Sequence, residues 1–168
     1  LAEITAEIKP LAESMREHPT EFELVTAIGF AYFARHKCDI VVLEVGMGGA
    51  MDSTNVIPAP EAAVITNIGL DHTEYLGSTF AQIAETKSGI VKPGCQAVLY
   101  PSRPDVEDVV SRVCREKGVG LRIADFGKIH SVSRDFSGQV FDYGPYQNIH
   151  LPLLGEHQLR NCAVVMET

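Results

Sequence analysis

Residues 61–100, EAAVITNIGLDHTEYLGSTFAQIAETKSGIVKPGCQAVLY, hold two short apolar runs with a helical pattern between them. The runs at 62–66 and 97–100 are continuous rather than alternating, which fits strands buried on both faces of a parallel sheet better than a half-exposed hairpin. Between them, residues 79–91 read as a helix closed by Lys92-Pro93-Gly94. A strand, a crossover helix and a second strand are the unit from which parallel sheets grow.

The same alternation continues outward. Residues 105–117 read as a helix and 121–124 as a strand, while 40–45 form another continuous apolar run, read as a strand ahead of the first. Residues 21–36 read as a helix whose start is marked by Thr20 and, three positions on, Glu23, the spacing of a capping box. In residues 1–16 the apolar positions Leu1, Ile4, Ile8, Leu11, Ala12 and Met15 recur at helical spacing, with Pro10 expected to break or kink the helix. The fold class is therefore α/β, a Rossmann-like, mostly parallel sheet flanked by helices. From 131 to 151 the character changes: FSGQVFDYG and YQNIHLPL alternate in polarity and meet at Gly144-Pro145, a hairpin signal that adds a small β-subdomain. Residues from Glu156 onward return to a helical pattern.

Composition narrows the function. The chain has 168 residues, 45% hydrophobic and 21% charged, with a mean hydropathy of +0.05, the profile of one soluble globular domain. A net charge of −8 argues against a nucleic-acid partner, which favours a basic face. No apolar run approaches the ~20 residues of a membrane span, and no signal-peptide core precedes residue 18, so a cytoplasmic protein is expected. The four cysteines, Cys38, Cys95, Cys114 and Cys162, show no CxxC spacing and read as buried free thiols. An acidic protein acting on anions would need local cations or a metal.

Three places carry chemistry. In VVLEVGMGGAMDSTNVI, residues 41–57, an acid at the end of an apolar run opens into a loop with Gly46, Gly48 and Gly49. A dinucleotide fingerprint would need a third glycine where Met51 stands and a helix opening at the glycines; DSTNVIPAP follows instead, so that reading fails. The glycines then serve either as spacers beside a ligand or as a tight turn with positive φ. Glu44 sits where open α/β sheets bind ligands, at the carboxyl end of a strand. Asp71-His72 lie in the loop after residues 62–66, at what should be the same edge; His72 is either solvated or part of that site. Lys87, near the end of the helical stretch, either complements the helix dipole or faces a metal, where it is useful only uncharged or carbamylated.

The strings FELVTAIGFAYFA, VVLEVGMGGAMDSTNV, VITNIGLDHTEYLG, IAETKSGIVKPG and LLGEHQLRNCA occur in the order found in folylpolyglutamate synthase / dihydrofolate synthase, of the Mur ligase superfamily, which this chain resembles over nearly its whole length. The resemblance implies an ATP- and magnesium-dependent amide ligase that adds L-glutamate to a dihydropteroate or folate carboxylate through an acyl phosphate, acting as a monomer. It implies metal and catalytic roles for Glu44, for His72 at a second magnesium site, and for Lys87 as a carbamylated lysine. His157, Gln158 and Asn161 match the adenine-side motif, with Asn161 as the base contact, and Asp52, Ser53, Gly48 and Gly49 fall in the pterin-binding loop. Departures are Ala50 where the family has Arg, Thr86 where it has Glu, and Ser53 and Ser88 where alanine is common. No G-x-x-x-x-G-K-[ST] loop occurs, so residues 1–168 are read as part of the central ATP-binding domain, without phosphate loop or C-terminal glutamate-binding domain and inactive alone. A non-catalytic folate- or nucleotide-binding relative, favoured by Ala50 and Thr86, and a cell-wall Mur ligase are the alternative readings.

Overall fold

The computed structural model describes all of residues 1–168, and the chain divides into two units, Leu1–Ile57 and Pro58–Thr168.

In the first unit α1 (Ala2–Ser14) packs on α2 (Glu21–Arg35). Of the two effects expected of Pro10, a break does not occur: Pro10 lies inside α1. Proline forfeits one backbone hydrogen bond and crowds the preceding turn, but Ile4 and Ala12 are buried on either side of it and Glu7 binds Arg35 of α2 at 2.6 Å, so tertiary contacts keep the helix continuous. The expected capping box is formed. Thr20 N–H donates to Glu23 Oε2 at 2.7 Å and Glu23 N–H to Thr20 Oγ1 at 3.3 Å. The bond from Thr20 N–H, and after it one from the Thr20 hydroxyl to the same Glu23 oxygen at 2.8 Å, hold the Glu23 carboxyl below its ordinary pKa.

Residues 40–45 are a correction. They pair with no strand, and Ile40 and Val42 are 85% and 92% exposed. Apolar, β-branched composition gives a run the propensity for a strand, but a strand is held by its ladder of hydrogen bonds, and this run has no ladder.

The second unit follows the expected alternation: β1 (Ala62–Ile65), α3 (Thr73–Leu76), α4 (Phe80–Lys87), β2 (Gln96–Leu99), α5 (Pro104–Glu116) and β3 (Leu121–Ile123). The three strands form a parallel sheet in the order β1-β2-β3, with Val64 opposite Val98 and Leu99 opposite Ile123. Ala97 and Leu99 of β2 enter a core with Ile65, Ile83, Val106 and Val110. Val98, on the opposite face, enters a second core with Phe141, Leu159, Ala163 and Val164. This double burial is why the strand reads as a continuous apolar run.

The C-terminal third is a three-stranded antiparallel sheet, β4 (Ile129–Asp135), β5 (Gly138–Tyr143) and β6 (Tyr146–Leu151), in that order. The hairpin at Gly144-Pro145 is where the sequence places it. β4 was not legible, because it is exposed along almost its whole length and carries no alternation. The last helix, α6 (Glu156–Glu167), contacts both sheets. Of the thiols, Cys95 and Cys114 are buried as expected and Cys162 is half-buried, but Cys38 is exposed. No helix is long and apolar enough to cross a membrane.

Tyr143 ties α6 to the second sheet. Its hydroxyl donates to Glu167 Oε1 at 2.8 Å and accepts from Asp125 N–H at 3.2 Å, and Lys128 Nζ approaches the same Glu167 oxygen at 3.2 Å. Burial, followed by the bond to Glu167, pushes the phenol up to about 12. Since this lies above the unfolded value near 10, the stabilisation is complete below pH ~10 and is lost as pH rises through about 12. In a rapid alkaline jump read by tyrosinate absorbance, one of the five tyrosines is expected to ionise only near 12, and Tyr143→Phe to remove that late step.

Candidate functional site

The glycine loop is built around the carboxylate of Asp52. Asp52 Oδ2 accepts from Met47 N–H at 2.8 Å, and Oδ1 accepts from Thr54 N–H at 2.9 Å and from Thr54 Oγ1 at 2.5 Å. Burial works to raise the Asp52 pKa, but the Thr54 hydroxyl and the N–H groups of Met47, Thr54 and Gly46 prevail and hold it below its ordinary value. Asp52 N–H in turn donates to Gly49 O at 3.2 Å. Thus the residue that the resemblance assigns to substrate has its oxygens taken by its own loop. Gly48, buried with φ of +74°, needs the left-handed conformation that glycine adopts freely. Gly49 is buried beside it.

Gly46 lies close against α2. A Cβ there would stand 2.4 Å from the ring of Phe22 on α2, so the loop rests on the first turn of that helix. Thr26, one helical turn on, brings its Oγ1 within 3.4 Å of Ser53 Oγ. Neither Phe22 nor Thr26 was singled out from the sequence as part of the loop; their positions at i and i+4 of a helix are the only trace. Between α2 and the loop lies a cavity of about 190 Å³, lined by Phe22, Phe30, Phe33 and Leu43 with Glu44 and Thr54 at its wall. Its lining is apolar but for a few polar groups. Glu44 is exposed and makes no hydrogen bond or ion pair. Because residues 40–45 pair with no strand, Glu44 is not carried by a sheet strand as the sequence suggested.

In the second unit the segment after β1 runs to His72, which adopts φ of +49° and begins α3. A left-handed conformation is uncommon for a residue with a side chain and is strain of the kind found at functional sites. His72 N–H donates to Asp71 Oδ1 at 2.8 Å, and its Nε2 lies 3.7 Å from Asp71 Oδ2. Lys87 ends α4, as expected. It is half-buried, and its ammonium has no hydrogen bond or ion pair. The neighbouring departures are absorbed by the helix itself: Ser88 donates to Ala84 O at 2.7 Å and Thr86 to Gln82 O at 3.2 Å. On α6, Asn161 Nδ2 donates to Gln158 Oε1 at 3.2 Å, and His157 lies one residue before Gln158 in the first turn. No group of three or more His, Cys, Asp or Glu side chains gathers as a metal cluster.

The profile of the Mur ligase middle domain matches residues 4–168. The chain belongs to the Mur ligase middle-domain family. It is 39% identical over 155 residues to a folylpolyglutamate synthase of Lacticaseibacillus casei, covering 89% of this chain and 36% of that protein. It is 35% identical over 173 residues to a dihydrofolate synthase/folylpolyglutamate synthase of Bacillus subtilis, covering 94% and 39%. A solved FPGS–AMPPCP–folate complex superposes with a TM-score of 0.87 at 33% identity, over 99% of this chain and 42% of that one. The chain thus spans about two fifths of the length of these relatives.

Asp52→Ala would leave the Met47 and Thr54 N–H groups without acceptors. Losing such partners costs about 1–3 kcal/mol of local stability, so hydrogen exchange at the Met47 and Thr54 amides should accelerate about 5- to 150-fold. Amides of β2 are expected to exchange as before.

Proposed function

We propose that the protein containing this chain is an ATP-dependent ligase that joins L-glutamate to the carboxylate of dihydropteroate or a folate. The family match over residues 4–168 carries this reading, supported by relatives described as folylpolyglutamate and dihydrofolate synthases. The acceptor carboxylate attacks the γ-phosphorus of ATP and displaces ADP. The amine of glutamate then attacks the acyl carbon of the resulting acyl phosphate, phosphate leaves, and the nitrogen loses a proton. Both reactants are anionic, so catalysis rests on positioning and on charge compensation.

The donor chemistry suits magnesium in part. Glu44 is a free anionic oxygen donor, the type that Mg²⁺ prefers. His72 offers a nitrogen, and Lys87 fits only after its Nζ adds to CO₂ and releases a proton, giving a carbamate with anionic oxygens. The absence of a counter-charge beside the Lys87 ammonium supports that modification. Bound by these residues, with Glu44 serving one ion and His72 with Lys87 serving another, Mg²⁺ would neutralise phosphate charge. On α6, the Asn161 amide nitrogen is engaged by Gln158 while its Oδ1 stays open to accept from the adenine amino group, and His157 flanks the base. Asp52, Ser53, Gly48 and Gly49 shape the loop for the pterin acceptor. The reading carries with it a monomer of the cytoplasm, where ATP and glutamate are supplied.

The test is ADP release by the full-length protein with Mg²⁺, ATP and L-glutamate, comparing dihydropteroate, tetrahydrofolate and no acceptor. Acceptor-dependent release is expected, and the better acceptor names the step. Release that no acceptor stimulates would overturn the ligase in favour of a nucleotide- or folate-binding relative. Glu44→Gln should lower kcat/KM about 10²- to 10³-fold, the range for losing a group that stabilises developing charge. With ¹³C-bicarbonate, a carbamate carbon resonance is expected for the wild type and not for Lys87→Ala.

A further inference from the structure

Gln139, on β5, is a polar side chain only 3% exposed. The other buried polar residues are satisfied close by in sequence: Ser88 by Ala84 O and Thr54 by Asp52. Gln139 instead reaches well along the chain. Its Nε2 donates to Leu153 O at 2.7 Å and to Gly155 O at 3.0 Å. An amide nitrogen has two N–H groups, and both are committed to the short segment that leaves β6 and enters α6.

That segment has no other obvious anchor at its helical end. Gly155 is the N-cap of α6, and no side chain caps the helix. Its φ of +109° disfavours any residue with a side chain, and a Cβ there would stand 2.6 Å from the His157 ring. Gly155 O also accepts from Gln158 N–H at 3.1 Å and from Leu159 N–H at 3.4 Å. The carbonyl that Gln139 holds is therefore the one on which the first helical turn is hung. His157 and Gln158 lie in that turn, and Asn161 bonds to Gln158.

We infer that Gln139 is a positioning residue for nucleotide binding: from inside the second sheet it fixes the start of α6 and so sets the orientation of His157, Gln158 and Asn161. It touches no substrate itself. The inference rests on the assignment of α6 to the adenine side of the ATP site. A side chain serving stability alone would lower the melting temperature without separating one substrate from another. A positioning residue changes the affinity for ATP selectively.

The test uses the full-length protein with Gln139→Met, which keeps the volume and removes the donors, and Gln139→Glu, which sets a carboxylate against two carbonyls. Asn161→Ala is the reference. For Gln139→Met, the KM for ATP and the Kd for ADP are expected to rise roughly tenfold, the scale of one to two lost hydrogen bonds. The KM for the acceptor and for glutamate should stay within about threefold, and exchange at the Gln158 and Leu159 amides should accelerate. Gln139→Glu should show the same pattern more strongly. Unchanged ADP affinity in Gln139→Met, alongside weakened affinity in Asn161→Ala, would overturn the positioning role while leaving the adenine assignment intact. Unchanged affinity in Asn161→Ala would overturn the adenine assignment itself. Equal loss toward all substrates, or failure of both Gln139 variants to fold, would make Gln139 a residue of the fold and overturn the inference.

Discussion

The second unit depends on one strand having two dry faces. β2 offers Ala97 and Leu99 to one core and Val98 to the other, and each face must be covered because apolar area left in water costs about 25 cal/mol per Å². α4 and α5, packed against each other, cover the first face, with Ile83, Val106 and Val110 fully buried. The second face is covered by α6 and the antiparallel sheet through Leu159, Ala163 and Phe141. The β-subdomain is thus part of the insulation of the parallel sheet. The same contacts bring Gln139 to the start of α6, so the covering of β2 also determines where that helix begins.

Much of this was legible because local chemistry and global packing agree. The runs at 62–66 and 97–100 are apolar on successive residues because the sheet is covered on both faces, and the Thr20–Glu23 cap marks a helix start through bonds made within four residues. Where the sequence misled, the deciding interaction lay elsewhere. Residues 40–45 have the composition of a buried strand, yet a ladder depends on a partner and none pairs with them. β4 has a partner but no buried face, so its seven residues show no alternation. Pro10 carries a local penalty that the contacts of α1 with α2 outweigh.

The candidate site shows the same division. The local settings of His72 and Lys87 could be read from the sequence, because a histidine in the loop after a strand and a lysine ending a helix are local features; the expected strand under Glu44 could not, because it depends on a pairing that residues 40–45 do not make. The role of Asp52 could not, because its hydrogen bonds to Met47, Thr54 and Gly46 exist only once the loop has closed. Nor could that of Gln139, whose partners lie 14 and 16 residues away and are backbone carbonyls that carry no side-chain signature.

Hydrogen-bond occupancy separates the groups that hold geometry from those that can exchange a ligand. Asp52 is an anion whose acceptor capacity is drawn on by N–H and O–H donors of its own loop; another ligand would have to displace them, at the cost of leaving those donors unpaired. Glu44 has no hydrogen-bond or ion-pair partner, so its exposed carboxylate oxygens are left to water. Lys87 differs in kind: it is half-buried and its nitrogen is committed to no ion pair. In the proposed reading, conversion to a carbamate would reverse the sign of that charge and make the position an oxygen donor for a cation. The same lysine, fully paired to a carboxylate, would gain stability and lose that chemistry.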